Sequence, residues 1–215
     1  MNTTAKAVLP SGVYERLSAD IVEGRISPGS SLREEQIAEL MGVSRTPVRE
    51  ALRRLSDEGF VEYFPHRGAR LMKLTAERVH EVFEVREALE GMAARHAAAR
   101  MPAGRIAALR AEFERIGQQI ATGDFRDVGD GLHIEIFESC GNDRLKRLML
   151  SIRNQVTWMQ RIAVTLPGRL GRAYHEHNEV LTALENRDPD GAERAMRTHI
   201  QATLREILAG VSSGE

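Results

Sequence analysis

The sequence predicts a mainly α-helical protein: three helices and one β-hairpin at the amino end, followed by an antiparallel bundle of helices. Two observations carry this reading. Apolar residues recur at three- and four-residue steps along most of the chain, and the strand-like stretches Phe60 to Phe64 and Ala69 to Lys73 flank a single turn, Pro65-His66-Arg67-Gly68. From Thr75 onward strand signals cease, which places a boundary between residues 1–74 and 75–215. With 215 residues, 42% of them hydrophobic and 5% aromatic, the chain is long enough for a sizeable core.

A formal net charge of -1 excludes a polycation that coats phosphate non-specifically, so any nucleic-acid contact has to come from local clusters. No apolar run approaches the ~18 residues needed to span a bilayer, and the first residues lack a basic region followed by an apolar one, so a cytoplasmic protein with no membrane partner is expected. The single cysteine, Cys140, cannot form an internal disulfide; beside Gly141-Asn142 at a helix end it reads as a small buried side chain without a chemical role.

Residues 1–9 carry no periodicity and read as a loose arm. Val13, Leu17 and Ile21 start a helix that ends before Gly24, and Ile26-Ser27-Pro28-Gly29 is a turn. In Leu32 to Val61, Ile37, Leu40 and Met41 fall at i, i+3, i+4, while Val48, Ala51, Leu52 and Leu55 fall at i, i+3, i+4, i+7, giving two helices with one apolar face each. Gly42-Val43-Ser44 separates them. Ser44 or Thr46 can cap the second helix, Pro47 suits its first turn, and Gly59 followed by apolar Phe60 ends it.

Opposite that apolar face, Arg45, Arg49 and Arg53 recur every four residues. The stripe fits a nucleic-acid groove, because the guanidinium fork pairs bidentately with guanine O6 and N7 or with phosphate; the competing reading is a solvated face. The hairpin tip concentrates His66, Arg67, Gly68 and Arg70, which suits a wing against the backbone or minor groove.

With these residues in view, VSRTPVREALRRLSDEGFV, preceded by LREEQIAELMG, resembles the winged helix-turn-helix of GntR-type bacterial transcription regulators over roughly residues 10–73. The resemblance implies DNA contact by Arg33 at the start of the first helix of the pair, by Ser44, Arg45, Thr46 and Arg49 at the second, and by His66 and Gly68 in the wing, beside Arg67.

The carboxyl-terminal half reads as six helices. They are Thr75 to Arg100; a second marked by Ile106, Leu109, Phe113, Ile116 and Ile120, ending near Gly123; Asp130 to Ser139, with Ile134 and Phe137 inward; and a long stripe from Leu145 through Leu148, Met149, Ile152, Val156 and Met159 to Ile162. Tyr174 to Leu184 and Gly191 to Leu208 follow, the last with Ala195, Ile200, Leu204 and Leu208 inward, separated by a turn at Asn186 to Pro189.

Asp130 and His133 stand one turn apart on the third of these helices, His177 on the fifth and His199 on the sixth, all flanked by apolar side chains. One such histidine is ordinarily a hydrogen-bonded core residue. Three with a carboxylate form a donor set for zinc, nickel, copper or ferrous iron. This half resembles the FCD effector-binding domain that follows GntR-type DNA-binding domains. The resemblance implies that LHIEIFESCGNDRL, EHNEVLTALENRD and AMRTHIQ bring His133, His177 and His199 around one divalent cation, zinc first and nickel next. It places the carboxylate four residues before His133, which here is Gly129; Asp130 is the expected ligand, with Asp127 as the alternative and a three-histidine site with water also open.

His175 reads as a bystander or hydrogen-bond donor behind the ligands. Arg86 matches a family position whose guanidinium faces the cavity and can hold an organic acid; a salt bridge to Glu90 at i+4 is the other reading, and Arg153 and Arg161 are lesser candidates. The expectation is a homodimeric regulator, acting as a repressor, on double-stranded DNA with a pseudo-palindromic operator, controlled by a small carboxylate effector. The alternatives are a metalloregulator in which the cation is the signal, and a metal-dependent enzyme, which lacks a convincing general base near the histidines.

Overall fold

The computed structural model describes residues 10–65, 67–122, 131–164 and 168–212. Contacts divide the chain into two units, Met1–Thr75 and Ala76–Glu215.

The first unit contains α1 (Pro10–Val22), β1 (Ser31–Leu32), α2 (Glu34–Met41), α3 (Arg45–Asp57), β2 (Val61–Phe64) and β3 (Gly68–Leu71). Its core is the set of apolar faces the periodicity marks: Val13, Leu17 and Ile21 from α1, Ile37 from α2, and Val48, Ala51, Leu52 and Leu55 from α3. Leu40 departs from the expected inward face and is 84% exposed. It lies at the end of an eight-residue helix, where Gly42 in the left-handed region already turns the chain away and the amides of Gly42 and Val43 close on Glu39 and Ala38.

The end of α3 is a Schellman turn. Gly59 has φ +73°, its amide reaches the Ser56 carbonyl at 2.9 Å, and the Phe60 amide reaches the Leu55 carbonyl at 2.9 Å, leaving the Phe60 ring fully buried. Ser44 occupies the N-cap of α3 in an extended conformation but makes no side-chain capping hydrogen bond, contrary to one of its expected uses.

Strands β2 and β3 form the expected hairpin, with Val61 opposite Leu71 and Phe64 opposite Gly68. The two-residue β1 adds a third antiparallel strand on the other side of β3, with Ser31 opposite Arg70 and Leu32 opposite Ala69. Sequence patterning does not reveal it, because two residues have no period.

The second unit contains α4 (Ala76–Arg100), α5 (Ala103–Thr122), α6 (Gly131–Ser139), α7 (Asp143–Val164), α8 (Arg169–Glu185) and α9 (Pro189–Ser212). α9 packs along α4 and α8, α5 against α8, and α4 also meets α6 and α7. Ala93, Ala94, Ala97 and Ala98 are buried on α4, so its small side chains let neighbouring backbones approach closely.

Three stripes differ from expectation. On α6 the inward residues are Leu132, His133, Ile136 and Phe137, while Ile134 is 42% exposed; on α7 Leu148 is half exposed; and on α9 the buried residues are Ala192, Met196, His199, Ile200, Thr203 and Ile207 rather than Ala195, Leu204 and Leu208. The α9 face includes a histidine and a threonine, so an apolar period read on aliphatic residues alone settles one position off. Cys140 is fully buried, with its thiol 3.2 Å from the Phe137 carbonyl. No helix among the described residues is long and apolar enough to cross a membrane.

Candidate nucleic-acid surface and metal centre

On the first unit, the start of α3 and the edge of the wing present cations together. Arg33, Arg45 and Arg67 line one polar groove with Ser31, Glu34, Glu35 and Gly68. Ser44 and Thr46 are exposed at the amino end of α3, and Arg53 is exposed one turn beyond Arg49. The Ser44 hydroxyl, which makes no capping hydrogen bond at the start of α3, suits an anion, as helix N-termini do.

Two of the stripe arginines are held by carboxylates of α2. Arg45 pairs with exposed Glu35, and Arg49 Nη2 donates to Glu34 at 3.0 Å. Tyr63 on β2 donates its hydroxyl to the same Glu34 at 2.8 Å, and Arg53 lies over the Tyr63 ring at 5.9 Å. The hydrogen bond to Glu34 raises the Arg49 proton affinity further above its already high value. Glu34, nearly buried at the start of α2, thus fixes the direction of Arg49 from the helix behind it.

Gly68 serves the chain itself. It is buried at φ +93°, and a Cβ there would fall on the Leu32 carbonyl oxygen of β1, so the close approach its lack of side chain permits is to β1. His66 lies outside the described residues.

In the second unit, α6, α8 and α9 bring His133, His177 and His199 to one buried point, 8%, 4% and 2% exposed. His177 Nε2 is 3.1 Å from His133 Nε2 and 3.2 Å from His199 Nε2. At a metal–nitrogen distance of about 2.0–2.1 Å, two imidazole nitrogens stand about 2.9 Å apart at a right angle and about 3.3 Å apart at a tetrahedral one, so these separations suit three ligands of one cation.

The surrounding carboxylates set the tautomers. His133 Nδ1 faces Glu90 of α4, and His199 Nδ1 faces Glu176 of α8 at 2.7 Å. Because a carboxylate only accepts, both Nδ1 atoms carry the proton and both Nε2 lone pairs point at the shared centre. Each carboxylate is itself held by an arginine: Arg86 Nε donates to Glu90 at 2.6 Å, and Arg169 Nη1 donates to Glu176 at 2.9 Å while its Nη2 reaches Thr203. Burial alone disfavours the Glu90 charge, yet Arg86 and His133 outweigh it and hold its carboxyl at about 2. Burial, reinforced by the neighbouring histidines, lowers the proton affinity of His177 and His199 well below the usual imidazole range, which leaves them neutral. The Nε2 lone pairs of His133 and His199 turn toward His177 Nε2, whose own Nδ1 is buried without a hydrogen-bond partner, and this donor set fits one cation.

Two family models match the chain: the FCD domain over residues 81–202 and the bacterial regulatory proteins of the gntR family over residues 9–71. The HTH-type transcriptional repressor RspR of Escherichia coli strain K12 is 31% identical over 204 residues, covering 91% of this chain and 87% of its own. The chain belongs to the GntR family. A GntR protein of this kind is a DNA-binding transcription regulator and not an enzyme.

A probable D-xylose utilization operon transcriptional repressor of Paenarthrobacter nicotinovorans is likewise 31% identical over 212 residues, 95% of this chain and 92% of its own. Among solved structures, E. coli McbR/YncC shares the fold with TM-score 0.73 at 21% identity, covering 93% of this chain and 97% of that one. A putative GntR regulator from Rhodococcus sp. RHA1 does so with TM-score 0.70 at 23% identity and the same coverage.

Within this GntR chain the residues singled out by sequence divide clearly. Arg33, Arg45, Arg67 and Gly68 share a groove, and the three histidines share a point. Asp130 and Asp127 lie outside the described residues, as His66 does. Arg86 is 2% exposed and forms the salt bridge to Glu90, and it also lines a cavity; Arg153 lines that cavity too, and Arg161 does not. His175 is exposed against the Tyr174 ring. Sequence reasoning missed Glu90 and Glu176 as supports. Glu176 adjoins His177, but one residue is a 100° step around a helix, which turns it toward His199 on α9; a signal existed only in the buried arginines that hold both acids.

Proposed function

We propose that the chain is a homodimeric repressor in which residues 1–74 read a pseudo-palindromic operator and residues 75–215 hold a divalent cation and a small carboxylate effector. Arg33, Ser44, Arg45, Thr46, Arg49, His66 and Arg67 contact DNA in this reading, with Gly68 shaping the wing. His133, His177 and His199 hold the cation, with Asp130 as fourth ligand; zinc, which accepts three nitrogens and one oxygen, is the first choice and nickel the second. When bound, the cation offers a positive anchor for an acid that also touches Arg86. The protein works in the cytoplasm, where its DNA is.

The observation that carries the effector half of this reading is the inward convergence of three Nε2 atoms, with the tautomers of His133 and His199 fixed from behind by Glu90 and Glu176. The repressor half is supported by the names of two relatives of 31% identity. Effector binding shifts the dimer between two arrangements only by as much as its affinity for the two differs.

The test is operator binding, after selection of the operator from genomic fragments, with the metal-loaded protein, the chelated protein, and each with added organic acids. Release of DNA by an acid only from the metal-loaded protein is expected. Release by chelation alone, with no acid having any effect, would favour the cation itself as the signal.

A further inference from the structure

The cavity bounded by α4, α6 and α7 adjoins the histidine centre through Glu90 and His133, has a volume of about 90 Å³, and opens to solvent. Its charge is unbalanced. Arg86, Lys146 and Arg153 face it against Glu90 and Glu138, so three cations meet two carboxylates. Glu90 is spent on Arg86 and His133, and Glu138 pairs with Lys146 at 2.5 Å. Arg153 has no carboxylate within ion-pairing distance among the described residues, and Arg86 Nη1 is buried with no hydrogen-bond partner although its Nε is satisfied. A buried guanidinium nitrogen without an acceptor asks for one, and a single negative charge completes the balance.

The remaining walls are mainly apolar. Phe137, Met149 and Val156 line the interior, while Ile134 and Leu150 stand at the cavity 42% and 54% exposed, two of the few large apolar side chains that the described residues leave in water. Thr157 and Gln160 are the neutral hydrogen-bonding side chains of the lining. A polyhydroxy acid placed here would leave most of its hydroxyls facing hydrocarbon, where each lost hydrogen bond to water counts against binding.

We propose that this cavity takes a monocarboxylate with an apolar body, an aryl or branched alkyl acid, its carboxylate at Arg86 Nη1 and Arg153 and its body against Ile134, Phe137, Met149 and Leu150. The assignment rests on the carboxylate-effector reading above and adds the class of acid, discriminating against sugar acids and small hydroxy acids.

The experiment is calorimetric titration of the full-length, metal-loaded protein with sodium benzoate, 3-methylbutanoate, gluconate and lactate, and with benzamide as the uncharged control. Arg86 is too deeply embedded for a clean substitution, since its loss would leave Glu90 unpaired, so the variants are Ile134→Asp and Arg153→Ala. Benzoate or 3-methylbutanoate should bind at least about tenfold tighter than gluconate or lactate. Benzamide should not bind, and each variant should lose about tenfold or more while melting like the parent without ligand. Tighter binding of gluconate or lactate, or benzoate affinity untouched in Ile134→Asp, overturns the class of acid and leaves an acid effector standing. Absence of binding by every acid overturns both.

Discussion

Arg49 shows how a surface cation becomes a reading device. An exposed arginine samples many rotamers, whereas here Glu34, itself fixed by Tyr63, holds the guanidinium at 3.0 Å, so less freedom is lost when it meets a base or phosphate. Arg49→Ala should weaken operator binding by about 1–3 kcal/mol with the melting temperature unchanged, as read by fluorescence anisotropy. Unaltered operator affinity would remove Arg49 from the interface. At the histidines the sign of the pH effect follows from burial. His177 and His199 hold protons less readily folded than unfolded, so below about pH 6.5 the unfolded chain takes up protons the folded chain refuses. Stability of the chelated protein should therefore fall between pH 7.5 and 5.5, by at most about 1.4 kcal/mol per pH unit per histidine, and urea melts of the parent against His177→Gln check this. A parent equally stable at both values would contradict it. The apolar faces mark the three histidines as buried, but what grouped them at one point was the resemblance to the FCD domain, since the pattern of one helix says nothing of its neighbours; Glu90 and Glu176 were not legible, because what makes them important is a neighbour on another helix.

Helix α3 was legible almost completely. Its face, its first-turn Pro47 and its Gly59 stop are all local signals, and they agree with one another. The wing shows the opposite case. Its turn residues announce a hairpin, but the strand that completes the sheet is the pair Ser31-Leu32, about forty residues earlier than its partner β3 and too short to carry a pattern. Gly68 links the two, since its positive φ and the Leu32 carbonyl leave no space for a side chain. Gly68→Ala should cost roughly 2 kcal/mol or more of the first unit's stability and weaken operator binding, while metal content stays that of the parent. A variant with parental melting and DNA affinity would show that β1 yields easily. The exposed Leu40 and Ile134 and the displaced α9 stripe have one cause: on short or mixed helices the apolar residues do not by themselves say which side faces the core, and the partner helices decide.

For the molecule as a whole, two units carry two chemistries, guanidinium groups in the first and convergent imidazoles in the second, and the proposed function needs both. Each winged unit alone presents a modest recognition surface, so the proposed dimer should lose affinity steeply when one half of a palindromic operator is scrambled. Affinity for a single half-site equal to that for the full operator would argue against a dimeric reader. The bundle's share is more direct to examine, because a structural cation held by buried ligands should survive purification. The decisive measurement is elemental analysis of the purified full-length protein beside His177→Ala. About one divalent cation per chain in the parent, and a clear loss in the variant while it still melts cooperatively, is the predicted result. A parent protein free of metal that takes up none on reconstitution, or a His177→Ala protein holding as much as the parent, would contradict it.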